Sequence, residues 1–143
     1  MSQHIMLFLK PLGLLFTALI LSSCSFMAIA ADSNEAVHFK TGTSSEQYVA
    51  TTANYDVNNY VFYAKKDQHL KVTLDTKSTK LWVALLNSKL ENIADLSPYS
   101  ADINHNGEYI LPYDGKYAIR IGQYRAFARR GESSHYTLTI AID

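Results

Sequence analysis

Apolar and polar residues alternate with a period of two in three stretches of this chain. In His69–Asp75, Leu70, Val72 and Leu74 share one face and polar side chains the other. Tyr117, Ile119 and Ile121 alternate with Ala118 and Arg120, and Tyr136, Leu138, Ile140 and Ile142 with Thr137, Thr139 and Ala141. That pattern belongs to strands with one face buried. Weaker strand signals cover Val37–Lys40, Gln47–Thr52, Tyr60–Lys65 and Glu108–Leu111. The continuous apolar run Leu81–Leu86 fits either a fully buried strand or a short helix. Turn pairs punctuate these segments at Lys66-Asp67, Asn106-Gly107 and Asp114-Gly115. The reading is an all-β fold, a small antiparallel β-sandwich of about eight strands. No helical stretch is long enough to supply the crossovers that parallel strands need, which makes a parallel sheet unexpected. Trp82, Phe62 and several tyrosines are expected to fill the space between the sheets.

Residues 1–30 stand apart from this pattern. Lys10 precedes an apolar run from Leu12 to Leu21, and Ala28-Ile29-Ala30 supplies the small residues of a signal-peptidase site. Residues 1–30 therefore read as a signal peptide, leaving 31–143 as one domain in the periplasm. Leu21-Ser22-Ser23-Cys24 also fits a lipobox, whose lipidated cysteine would make an outer-membrane lipoprotein. The chain stays apolar after Cys24, at Phe26, Met27 and Ile29, which favours cleavage after Ala30. No membrane association is expected unless Cys24 is lipidated.

Charge and composition narrow the function. Thirteen basic and 13 acidic residues balance, so the chain lacks the basic surplus of a protein that coats nucleic acid. A single cysteine rules out a disulfide framework and a Cys-based zinc site. His38, His69, His105 and His135 stand at no metal-ligand spacing, and no metal or cofactor is called for. There is no nucleophile elbow, phosphate-cradling glycine loop or paired carboxylate, so the chain does not read as an enzyme.

Two features remain. Most of the ten tyrosines, among them Tyr60, Tyr63, Tyr109, Tyr117 and Tyr136, sit in strand patterns where packing explains them. Tyr55, in Asn54-Tyr55-Asp56, lies in a polar connection, where it suits recognition or a loop anchor equally. All four arginines, Arg120, Arg125, Arg129 and Arg130, fall within eleven residues, with no acid between Arg120 and Gly131. Arg120 alternates within its strand; the others lie in Gln123–Ser133, a longer connection than a hairpin usually needs. In a helical turn Arg125 and Arg129 would share a face and repel by roughly 0.2–0.5 kcal/mol, so local stability does not explain them. Spacing alone leaves two readings open, a solvated basic loop or a key for an acidic pocket.

Several stretches resemble the periplasmic inhibitors of goose-type (g-type) lysozyme, the PliG family, from about Val37 to the C-terminus. They include Ser44–Tyr48, Asn54-Tyr55-Asp56, Tyr60–Lys66, Asp95–Ser100, Gly107–Pro112 and Gly115-Lys116-Tyr117. The most specific are Phe62-Tyr63-Ala64-Lys65-Lys66 and the Gln-x-Arg-x-x-Ala-Arg loop, Gln123–Arg129. Asn54 stands where the family pattern leads one to expect glycine, and Asp75–Asn92 matches poorly. The resemblance implies a β-sandwich with g-type lysozyme as its protein partner, inhibited by loops inserted into its substrate cleft. Carried over by position, it implies Tyr55, Arg125 and Arg129 as the lysozyme-binding residues. Gly115-Lys116-Tyr117 and Tyr136-Thr137-Leu138 also resemble C-terminal accessory domains of secreted peptidases, which implies instead a non-catalytic module that binds glycan or envelope protein.

Overall fold

The computed structural model describes residues 30–143. Of the expected leader only Ala30 belongs to that range; the rest of residues 1–30, including Cys24, lies outside the described residues. Among the described residues nine strands and one helical turn follow in chain order: β1 (Asp32–Ala36), β2 (Ser45–Ala53), β3 (Val57–Ala64), β4 (His69–Asp75), β5 (Leu81–Leu86), β6 (Ala94–Asp95), β7 (Tyr109–Ile110), β8 (Gly115–Gln123), α1 (Arg125–Ala128) and β9 (Ser133–Ile142). One sheet has the order β1-β3-β8-β5-β6 and the other β2-β9-β4-β7. The alternating runs are half-buried strands because their inward residues meet across the two sheets. Tyr60, Phe62, Val83, Leu85, Tyr117, Ile119 and Ile121 from one face Leu70, Tyr136, Leu138 and Ile140 from the other. Each such side chain contributes roughly 1.5–3 kcal/mol on burial.

The tyrosines in this core keep their polar ends satisfied. The Tyr60 and Tyr136 hydroxyls meet at 2.8 Å between the sheets, and Asn58 Nδ2 donates to Tyr136 Oη at 2.7 Å. Burial, with the Tyr136 hydroxyl beside it, pushes the Tyr60 phenol well above its ordinary pKa. Tyr117 stacks on Phe62 with centroids 5.7 Å apart, and its hydroxyl donates to the Tyr113 carbonyl at 2.6 Å. Tyr63 departs from the packing role expected of it: it lies on the outer face of β3, 78% exposed.

Three expectations are corrected. The first strand is Asp32–Ala36, not Val37–Lys40; all five of its residues are exposed, so it has no alternation to read. It is held by ladder bonds and by polar clips such as Asn59 Nδ2 donating to the Ser33 carbonyl at 3.0 Å, while Val37 and Phe39 beyond it pack against the core. Second, β1 pairs with β3 in parallel, in an otherwise antiparallel sandwich. No helix is needed for this pair, because the chain crosses to β2 in the opposite sheet before returning as β3. Third, Trp82 is not between the sheets. Leu81–Leu86 is a strand whose Val83 and Leu85 fill the core, so Trp82 points to the outer face.

Candidate functional site

Strand ends gather three connections at one end of the sandwich: Asn54–Asp56 between β2 and β3, Thr76–Lys80 between β4 and β5, and Tyr124–Glu132 between β8 and β9. The first is a tight turn in which the Asp56 amide donates to the Ala53 carbonyl at 3.0 Å. Asn54 has φ of +52° there. That explains the departure from glycine, since asparagine enters the left-handed region more readily than other residues with a Cβ. The turn is anchored from outside as well, because the Ala31 amide donates to Asp56 Oδ1 at 2.8 Å and the Val57 amide to the Ala31 carbonyl at 3.2 Å. Tyr55, between them, is 44% exposed.

The third connection makes a single helical turn. Arg129 donates its amide to the Arg125 carbonyl at 3.0 Å, Ala128 is buried beneath the turn, and Gly131 at φ +69° ends it. One buried glutamine ties this turn to the first. Gln123 Nε2 donates to the Glu132 carbonyl at 2.6 Å and the Asn54 carbonyl at 3.4 Å, while its Oε1 accepts from Ser134 Oγ at 2.9 Å. The Asn54 amide donates to the same Glu132 carbonyl at 3.2 Å. Gln123 thus sets the turn carrying Tyr55 against the loop carrying the arginines, although the two are distant in sequence.

Apart from Lys77, which is exposed in the Thr76–Lys80 connection with no ion pair among the described residues, the basic residues of this end fall into two groups. Arg130 Nε donates to Glu132 Oε1 at 2.6 Å, and Lys80 Nζ bonds the other carboxylate oxygen. Both cations flank the Phe127 ring, at 4.8 Å for Arg130 and 5.5 Å for Lys80. Hydrogen bonds from Lys80 and then Arg130 hold the Glu132 carboxyl below its ordinary pKa. Arg120, by contrast, is structural: its Nε donates to Asn59 Oδ1 at 3.0 Å, with Asp32 3.9 Å away. Arg125 and Arg129 are exposed, and among the described residues no carboxylate comes within ion-pair distance of either. Two guanidinium groups one helical turn apart are therefore left without an internal counterion.

Of the three residues expected to bind lysozyme, Tyr55 and Arg125 line one recess of about 430 Å³ together with Trp82 and Gln123. Arg129 does not line it and stands one helical turn beyond Arg125. Sequence reasoning missed Trp82 and the clamp role of Gln123. The signal for Trp82 was available in β5, where its odd-numbered neighbours alone complete the core, and in the glycine opposite it, Gly122.

No family model matches the chain. Over 123 residues it is 37% identical to the inhibitor of g-type lysozyme of Escherichia coli strain K12, an overlap covering 86% of this chain and 89% of that protein. The chain belongs to the family of g-type lysozyme inhibitors. Solved structures agree. A mutant of the Escherichia coli inhibitor PliG-Ec matches with a TM-score of 0.74 and 34% identity, over 80% of this chain and 100% of that one. The inhibitor from Salmonella Typhimurium matches with a TM-score of 0.73 and 32% identity, over 78% and 98%. That from Aeromonas hydrophila matches with a TM-score of 0.66 and 25% identity, over 80% and 100%. All three are described as periplasmic inhibitors of g-type lysozyme, the location expected from reading residues 1–30 as a signal peptide.

Proposed function

We propose that this chain is a non-catalytic inhibitor that binds g-type lysozyme in the periplasm and sets Tyr55, Arg125 and Arg129 into its substrate cleft. Residues 1–30 serve as the leader, and residues 31–143 are the inhibitory domain. The observation that carries this reading is the sorting of the cations: Glu132 neutralises Lys80 and Arg130 at home, while among the described residues no carboxylate lies within ion-pair distance of Arg125 or Arg129. A glycosidase cleft presents carboxyl groups on either side of the scissile bond. A guanidinium beside the general acid favours its ionised form and so removes the proton that the leaving sugar needs. Desolvated Arg–carboxylate pairs are bidentate and directional, which suits a key entering a narrow slot. The loops also exclude the glycan sterically, with Tyr55 placed to cover a surface that a sugar ring would occupy.

Turbidity of a cell-wall suspension tests the reading. Lysis by a g-type lysozyme should stop at a stoichiometric amount of the purified protein, with a c-type lysozyme run in parallel to measure selectivity. Undiminished clearing by the g-type enzyme at a large excess of the protein contradicts the proposal, and sedimentation of the protein with the walls would then favour a glycan-binding module.

A further inference from the structure

Trp82 lies outside the core between the sheets. Val83 and Leu85 already complete the core beneath β5, and Trp82 lies on the opposite face, across the ladder from Gly122. A Cβ at residue 122 would stand only 2.4 Å from Trp82 Cζ2 and 2.8 Å from Cε2. Only glycine lets the indole settle this closely on the backbone of β8. The ring is fixed further by Nε1, which donates to the Gln123 carbonyl at 2.9 Å. The result is a large aromatic surface, held from below and at one edge, that lines the recess between Tyr55 and Arg125. Rigid aromatic side chains in such recesses lose little entropy on association and often dominate the affinity of an interface.

We propose that Trp82 is a further lysozyme-contacting residue, the floor of a recess that receives an apolar side chain from the rim of the lysozyme cleft. This rests on the proposed function, because the recess is continuous with the two residues placed in the cleft, Tyr55 and Arg125. Its walls offer apolar surface from Tyr55, Val57 and Trp82 beside the charged Asp56 and Arg125; Asp56 Oδ1 accepts from the Ala31 amide, and the polar atoms of the Gln123 side chain are taken up by Asn54, Glu132 and Ser134.

Trp82 is the sole tryptophan of the chain, so biosynthetic fluorotryptophan gives a single fluorine resonance. Titration with g-type lysozyme should shift that resonance and saturate at one equivalent. Trp82→Ala should weaken inhibition about 30-fold at a temperature where the variant remains folded, its Tm being lowered by the packing lost over Gly122, and Trp82→Phe should recover part of the loss. A complex that forms while the resonance stays in place overturns the Trp82 contact and leaves the arginine reading intact. If no complex forms, both fall. The resonance is read on the unsubstituted sequence, so the outcome does not depend on whether Trp82→Ala folds.

Discussion

Arg125→Ala combined with Arg129→Ala should weaken inhibition of g-type lysozyme by about 100-fold or more and leave the fold intact. Truncating one partner of a desolvated charge pair costs about 2–5 kcal/mol, and roughly 2.7 kcal/mol already corresponds to 100-fold. Little stability is at stake, since both side chains are exposed and neither has an ion-pair partner among the described residues. Exposed substitutions of this kind stay within about 0.5 kcal/mol, a Tm change of roughly 2–4 °C for a domain of this size. Relief of the repulsion between the two arginines acts in the stabilising direction. Arg130→Ala provides the contrast: it removes a cation that Glu132 already neutralises, so inhibition should fall far less. Inhibition constants and thermal melts of the variants decide the matter. A free-energy loss in Arg130→Ala about half that of the double variant, in proportion to the charge removed, would show that bulk charge, not the two unpaired guanidinium groups, is what counts.

Gln123→Glu should be damaging in a different way, lowering stability and inhibition together. The substitution keeps the shape and the oxygen that accepts from Ser134, but replaces the amide donor with a carboxylate oxygen facing the Asn54 and Glu132 carbonyls. A buried polar group deprived of its partner costs about 1–3 kcal/mol, and a charged one more. The Tyr55 turn and the arginine loop then lose their common clamp, so amide hydrogen exchange should quicken at residues 54–56 and 124–131. Tm should drop by roughly 4–8 °C for each kcal/mol lost. Unaltered exchange in both segments would mean that the ladder pairing of β2 with β9 holds them in place without Gln123.

The strands around the core were legible in the sequence because each buries one face. Leu70, Leu138 and Ile140 had to be apolar and their neighbours did not. β1 was illegible for the converse reason: with every residue exposed, its place is set by backbone bonds and by side chains such as Asn59. Trp82 was misread because an unbroken apolar run hides which of its members face inward. Tyr55, Arg125 and Arg129 came from the resemblance and not from spacing. The approach of Tyr55 to Arg125 depends on β2, β3, β8 and β9 meeting at one end and on Gln123 bonding Asn54, 69 positions away. The division among the arginines was equally hidden. Spacing set Arg120 apart but did not separate Arg130 from Arg125 and Arg129, yet Glu132 claims Arg130 and Lys80 and leaves Arg125 and Arg129 to the surface.

The most direct test of cleft insertion is competition between this protein and an oligomer of N-acetylglucosamine for g-type lysozyme, followed by calorimetry. If the loops occupy the sugar subsites, the apparent affinity of the inhibitor should fall in proportion to oligomer occupancy, with no ternary complex. An affinity that stays constant while the subsites are filled would contradict insertion of Tyr55, Arg125 and Arg129 into the cleft.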